Sequence, residues 1–247
     1  MLSKLQIDIN ADVGEGLNNE SLLMPFLSSC NIACGAHAGD FDTMVTVVHL
    51  AKRYNVKIGA HPSFPDKINF GRKELNMTPK DLFESLKSQI EDLQMILESE
   101  GLKMHHIKPH GALYNLAAKD KMTAETVADV LQHFNRNLKL YVPPNSVISE
   151  VAKSKNIQVI FEGFADRNYN ENLSLVSRQN PKALITRKEH VFEHVFNMIS
   201  NRKVKAVNGV EVPLFVETIC VHGDTENVSE ILKFLHKKFK ENSIIVL

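Results

Sequence analysis

Apolar residues recur along this chain in two alternating rhythms. Short β-branched or aliphatic runs near 5–10, 30–34, 56–60, 104–109, 138–142, 157–161 and 214–221 have the length and make-up of strands. Between them lie longer stretches with helical spacing. The strongest is 79–100, where Leu82, Leu86, Ile90, Leu93 and Leu97 form one stripe, Thr78 is placed to cap, Pro79 sits at the first turn and Gly101 stops the helix. A second helix is predicted from Thr186, whose pairing with Glu189 has the capping-box spacing, and it carries Val191, Phe192, Val195, Phe196 and Ile199. A third starts at about 225 with Val228, Ile231, Leu232, Leu235 and Phe239, and Asp224 or Thr225 is placed to cap it. Weaker helical patterns cover 42–54, 122–135 and 146–154. The alternation predicts seven βα units around a parallel sheet. The 247 residues match the roughly 250 common for α/β barrels, so one domain over 1–247 is expected.

One segment breaks the rhythm. Residues 166–180, DRNYNENLSLVSRQN, are polar and Asn-rich, and are expected to run as a long loop over the barrel mouth. Lys plus Arg and Asp plus Glu are 29 each, so no global field recruits nucleic acid or an anionic membrane. The partner is expected to be a small molecule or another protein. Three cysteines make no even disulfide framework, and the N-terminus runs into a strand without an apolar leader, which predicts the reduced cytoplasm. No apolar run approaches the ~20 residues needed to span a bilayer.

The predicted strands end in ionisable residues beside glycine: INADVGEG, NIACGAHAGD, IGAHPSF, IKPHGALYN, FEGFADR and ICVHGDT. Residues alternate sides along a strand, so Asp8, Asn10 and Asp12 share one face, as do His106, Lys108 and His110, and as do Cys220, His222 and Asp224. Pro109 biases Lys108 toward extended geometry. Glu15 follows between two glycines that let backbone approach a ligand. Asp12, His37 and His61, each closing a separate strand, are placed either to bind a divalent metal with open positions or to form a metal-free acid/base group; spacing leaves both open. Lys108 suits an anionic or carbonyl-bearing substrate and His110 suits proton transfer. Asp166 and Arg167 are candidates for substrate contact or for a structural ion pair, and His222 is the strongest candidate on the last strand. Cys30, Cys34 and His37 lack a fourth ligand for a thiolate zinc site, so the two cysteines read as small buried residues, and His105, His133, His190, His194 and His236 as surface or packing residues. His190 and His194 share a helix face without the glutamate of H-E-x-x-H. There is no P-loop, dinucleotide fingerprint or nucleophile elbow.

Taken in order, these motifs, with FGR (70–72) and LVSR (175–178), resemble the LamB/YcsF family from about residue 7 to 240. The resemblance implies a distorted seven-stranded barrel similar to the polysaccharide deacetylases. It implies ATP-dependent opening of 5-oxo-L-proline to L-glutamate, performed with two partner subunits, B and C. Without a P-loop, ATP is expected mainly on those partners. Asp12, His61, Lys108 and His110 are then the expected catalytic residues, and Asn10, Glu15, Arg72, Asp166, Arg167 and His222 the expected substrate contacts. The chain departs from the family pattern at Val13, Ala36 and Asn172, and the small Ala36 beside His37 predicts an altered pocket wall. Two other readings compete: a stand-alone metal-dependent deacetylase or amidohydrolase, and a non-catalytic subunit that binds a small acid.

Overall fold

The computed structural model describes residues 5–134 and 137–247. Seven strands close into a parallel barrel in the order β1 (Gln6–Val13), β2 (Ser29–Ala33), β3 (Lys57–His61), β4 (His106–Ile107), β5 (Lys139–Val142), β6 (Gln158–Phe164) and β9 (Thr218–Cys220), with β9 pairing back onto β1. Helices run between most of the strands: α1 (Glu20–Leu23), α2 (Phe41–Tyr54), α3 (Pro79–Ser99), α4 (Gly111–Ala117), α5 (Lys121–Phe134), α6 (Val147–Ser154), α7 (Lys188–Phe196) and α8 (Val228–Glu241). A two-stranded antiparallel excursion, β7 (Lys203–Lys205) with β8 (Glu211–Pro213), lies between β6 and β9, and β10 (Ile245–Val246) pairs with the start of β1. No helix among the described residues is long and apolar enough to cross a membrane.

Strand alternation explains the layering. On β1, Ile7, Ile9, Ala11 and Val13 belong to the apolar core, while Asp8, Asn10 and Asp12 are buried on the other face, inside the barrel. The predicted stripe of α3 is buried, Thr78 Oγ1 accepts from the Asp81 amide at 3.1 Å, and Gly101 has φ +67°. Ser146 caps α6 in the same way.

Several boundaries differ from expectation. The Thr186 capping box does not form; α7 begins at Lys188 with Arg187 at the N-cap and no side-chain cap, because the Ile185 amide is tied to the Asp166 carbonyl at 2.9 Å. Helix α8 begins at Val228 rather than 225, since Thr225 and Asp224 are engaged elsewhere. The ladder of β4 is only His106–Ile107, although the amides of His105 and Lys108 still reach Ile58 and Ala60. Strand β6 runs on to Phe164, three residues past the expected 161. For the helix expected over 122–135, Asn135 lies outside the described residues. Helices α1 and α4 were not signalled by periodicity. Gly111 permits the turn into α4: its φ is +53°, and a Cβ there would meet the Gly71 carbonyl oxygen at 2.7 Å.

Candidate active site

The inside of this barrel is polar from its floor to its mouth. At the floor, Asp8 accepts from the hydroxyls of Ser29 at 2.7 Å and Thr218 at 2.6 Å. One layer up, Asn10 donates to Glu162 Oε1 at 3.0 Å and to Thr218 at 2.8 Å, and Asn31 bridges Asn10 and Asp12 at 2.8 Å each. His106 reaches Asn31 Oδ1 at 2.6 Å and stacks on Tyr141 at 3.9 Å. Its ring fits because residue 59 is glycine; a Cβ there would collide with it. Burial holds the His106 imidazole well below its usual pKa, so it is neutral at pH 7.

Lys108 stands at the top of this column. Its ammonium lies 2.9 Å from Asp12 Oδ1, 2.8 Å from Glu162 Oε1 and 3.2 Å from Cys220 Sγ, with 2% of the residue exposed. Burial alone would lower the lysine, but the charges around it, led by Asp12, hold it well above its ordinary value. Burial alone would raise Asp12, yet the charges of His61 and Lys108 keep it well below the usual carboxylate range. One ammonium thus serves two buried carboxylates.

Beside this group is a cage of Glu15, His37, His61 and His110. Glu15 Oε1 lies 3.1 Å from His37 Nε2, 3.3 Å from His110 Nδ1 and 3.8 Å from His61 Nε2, and the last two nitrogens are 2.9 Å apart. The rings of His37 and His110 stack at 3.7 Å. Burial lowers the pKa of His37 and holds that of His110 well below the usual value.

On the last strand side, Asp166 orients His222. It accepts from the His222 amide at 3.0 Å, contacts His222 Nδ1 at 2.8 Å and takes the Thr225 hydroxyl. Burial would raise Asp166, but the His222 charge and these hydrogen bonds lower it. Asp166 and Arg167 do not form the ion pair considered from the sequence. Adjacent residues on this turn face different ways: Asp166 turns to His222 and Arg167 Nη2 donates to the Val176 carbonyl at 2.7 Å.

These groups surround a cavity of about 740 Å³ at the C-terminal ends of the strands. Its wall includes Asp12, Glu15, His61, Lys108, His110 and His222. The polar excursion supplies residues 172–179 to the same wall. At the rim, Asp224 Oδ2 accepts from Arg72 at 3.1 Å and Arg178 at 3.0 Å, joining three separate loops. Three wall residues bury a polar atom that has no hydrogen-bond partner among the described residues: Tyr114 Oη, Glu162 Oε2 and Arg167 Nε. Burial, the nearby Glu162 charge and the approach of the hydroxyl to the Glu162 carboxylate push the Tyr114 hydroxyl well above its usual pKa, so it stays protonated.

The structure brings Asp12, Glu15, His61, Arg72, Lys108, His110, Arg167 and His222 to this one cavity. Asn10 and Asp166 do not line it; they are buried behind it and hold the residues that do. Asp12 stays beside His61, with Oδ2 3.4 Å from His61 Nε2, while its other oxygen is engaged by Lys108; Glu15 joins His37, His61 and His110 in one cluster. Ala36 does not line the cavity either; the ring packed edge-on against His37 and His110 is Phe70. Sequence reasoning missed Glu162 and Arg178, and placed Tyr114 in the IKPHGALYN stretch without giving it a role. Ending β6 at 161 stopped one residue short of Glu162, although Glu162 in FEGF obeys the same alternation as Phe164.

Comparison with known proteins agrees with this geometry. The model of the LamB/YcsF family matches residues 7–247. The chain is 40% identical to the A subunit of 5-oxoprolinase from Bacillus cereus (strain AH187), covering 97% of each chain. It is 40% identical to the protein of the same name from Haemophilus influenzae (strain PittEE), covering 97% of this chain and 98% of that one. The crystal structure of a lactam utilization protein from Thermus thermophilus superposes with a TM-score of 0.92 at 34% identity, covering 98% of this chain and 99% of the other. With the motifs, the closed barrel and these matches in agreement, the chain belongs to the LamB/YcsF family.

Proposed function

We propose that this chain is the A subunit of an ATP-dependent 5-oxoprolinase, which opens 5-oxo-L-proline to L-glutamate as ATP is cleaved to ADP and phosphate. The observation that carries the reading is the unpaired trio on the cavity wall. A five-membered lactam acid offers an N–H, a carbonyl oxygen and a carboxylate. Glu162 Oε2 is suited to accept the N–H, the Tyr114 hydroxyl to donate to the carbonyl, and Arg167 Nε to donate to the carboxylate. A buried polar atom left without a partner costs roughly 1–3 kcal/mol, so three around one cavity favour a ligand that completes them. The names of the 40%-identical relatives support the same substrate class.

Opening a lactam needs a polarised carbonyl, an activated water and a protonated leaving nitrogen. Asp12 or His61 is placed to activate water, and His110 to carry a proton. Lys108 is nearly inaccessible and acts through Asp12 and Glu162 by pairing with both carboxylates. His222, oriented by Asp166, and the Arg72–Arg178 pair at the rim are placed for anionic groups. The cavity exceeds what a lactam alone fills, which leaves room for a phosphorylated form. ATP is then bound mainly by the B and C subunits, with the barrel acting as one domain in the cytoplasm.

The histidine cage favours a second reading, a stand-alone metal-dependent amidohydrolase. Glutamate release from 5-oxoproline separates the two. The proposal expects release only with ATP, this chain and both partners together; release by this chain alone without ATP would establish the second reading.

A further inference from the structure

The outer nitrogen of each cage histidine is already committed. His61 Nδ1 faces the Lys108 carbonyl at 2.8 Å and His110 Nε2 faces the Phe70 carbonyl at 3.0 Å. A carbonyl only accepts, so both outer nitrogens carry the hydrogen. His37 Nδ1 faces Ser63 Oγ at 3.0 Å, and Ser63 donates its own hydrogen to the Phe64 carbonyl at 2.8 Å, so His37 Nδ1 also donates. The inner nitrogen of each ring is therefore the one left to meet an ion.

Those inner nitrogens face one another and the Glu15 carboxylate. His61 Nε2 and His110 Nδ1 stand 2.9 Å apart, and Glu15 Oε1 is 3.1 Å from His37 Nε2. Groups at these distances share either protons or a cation. The neighbouring cluster of Asp12, Cys220 and His222 shows the contrast: the Lys108 ammonium sits against Asp12 and Cys220. Among the described residues, no lysine or arginine is paired with Glu15.

We infer that Glu15, His37, His61 and His110 form a binding site for one divalent transition-metal ion. Zn–N and Zn–O bonds of about 2.0–2.2 Å in a tetrahedron give ligand–ligand edges of about 3.4 Å, and the four measured cage edges, from 2.9 to 3.8 Å, bracket that value. Three imidazoles and one carboxylate suit such an ion. The bonds from the three outer nitrogens to carbonyl or hydroxyl oxygens fix tautomer and ring orientation, as around bound metals. Glu15, His61 and His110 line the cavity, so an ion there would meet its contents and act as a Lewis acid. Such a site is independent of which small acid the cavity takes; with it occupied, His61 and His110 serve as ligands instead of proton carriers, leaving Asp12 as the group to activate water.

The test is metal binding by the full-length chain, stripped with chelator and titrated with Co²⁺. The expected result is one equivalent bound, visible d–d absorption of a site of low coordination number, and displacement by Zn²⁺ with a rise in melting temperature. Glu15→Gln should weaken Co²⁺ binding while leaving the melting temperature of the metal-free chain unchanged or higher, because an acceptor charge is removed. Ser63→Ala, which touches no ion, should weaken it about 10- to 100-fold through His37. A stripped chain that binds no Co²⁺ would overturn the site and leave protons as the occupants. So would Co²⁺ binding that both variants leave unaltered.

Discussion

Two ionisable clusters share the mouth of this barrel, one around Lys108 and one around Glu15. Around Lys108 the cation is part of the sequence: one ammonium answers Asp12 and Glu162 at 2.9 and 2.8 Å. Around Glu15 three histidines present their inner nitrogens to a carboxylate, and no ammonium or guanidinium is paired there among the described residues. The first cluster carries its own cation and belongs to the scaffold, with Glu162 Oε2 the one oxygen of the two carboxylates left unpaired among the described residues. The second has no such cation among the described residues, and the ion inferred above is what would complete it.

The comparison breaks first at Lys108. Lys108→Met leaves two carboxylates buried without their cation, and the expected loss is about 3–5 kcal/mol in denaturant unfolding. A loss below about 1 kcal/mol would show that water reaches the column and that it is not scaffold. The column is also sensitive to volume. Gly59→Ala drives a methyl into the His106 ring and should cost about 1–3 kcal/mol or more; unchanged stability would mean that the ring moves freely.

Acid should reveal the histidines of the scaffold. The pKa of His106 is held well below 6.5, and those of His105 and His194 are pushed down to about 4, in each case chiefly by burial. A base with a lowered folded pKa binds protons more readily when unfolded. Its stabilisation is therefore full above about pH 6.5 and declines as pH falls from there toward 4. Asp12 and Asp166, lowered from 3.8, contribute stability that is lost only at still lower pH. The midpoint of urea unfolding of the chelated protein should be lower at pH 5 than at pH 7; equal midpoints would contradict neutral burial of these rings.

Much of this was legible in the chain. Seven strands and the main helices followed from periodicity, and the alternation of Asp8, Asn10 and Asp12 placed them correctly inside. Less legible was which buried groups meet. Asp12, His37 and His61 look equivalent as strand-end residues, but Lys108 reaches across the barrel to claim Asp12, while the Gly14–Glu15–Gly16 turn carries Glu15 to the histidines. Partner choice at a barrel mouth depends on register and stagger, which no single strand encodes. Arg178 was hidden in an excursion with no periodicity, and its role appears only where Arg72 meets the same Asp224 oxygen.

The smallest change gives the most direct test. Tyr114→Phe removes one buried hydroxyl that makes no hydrogen bond of normal geometry among the described residues, so folding should suffer little, whereas a ligand that uses the hydroxyl should lose affinity. The measurement is ATP-dependent glutamate formation from 5-oxoproline by this chain with its B and C partners, alongside the melting temperature of the chain. The account predicts a KM for 5-oxoproline raised roughly 10-fold, in line with about 1–1.5 kcal/mol for one hydrogen bond, at an unchanged melting temperature. An unchanged KM, or no ATP-dependent glutamate formation by the wild-type set, would contradict it.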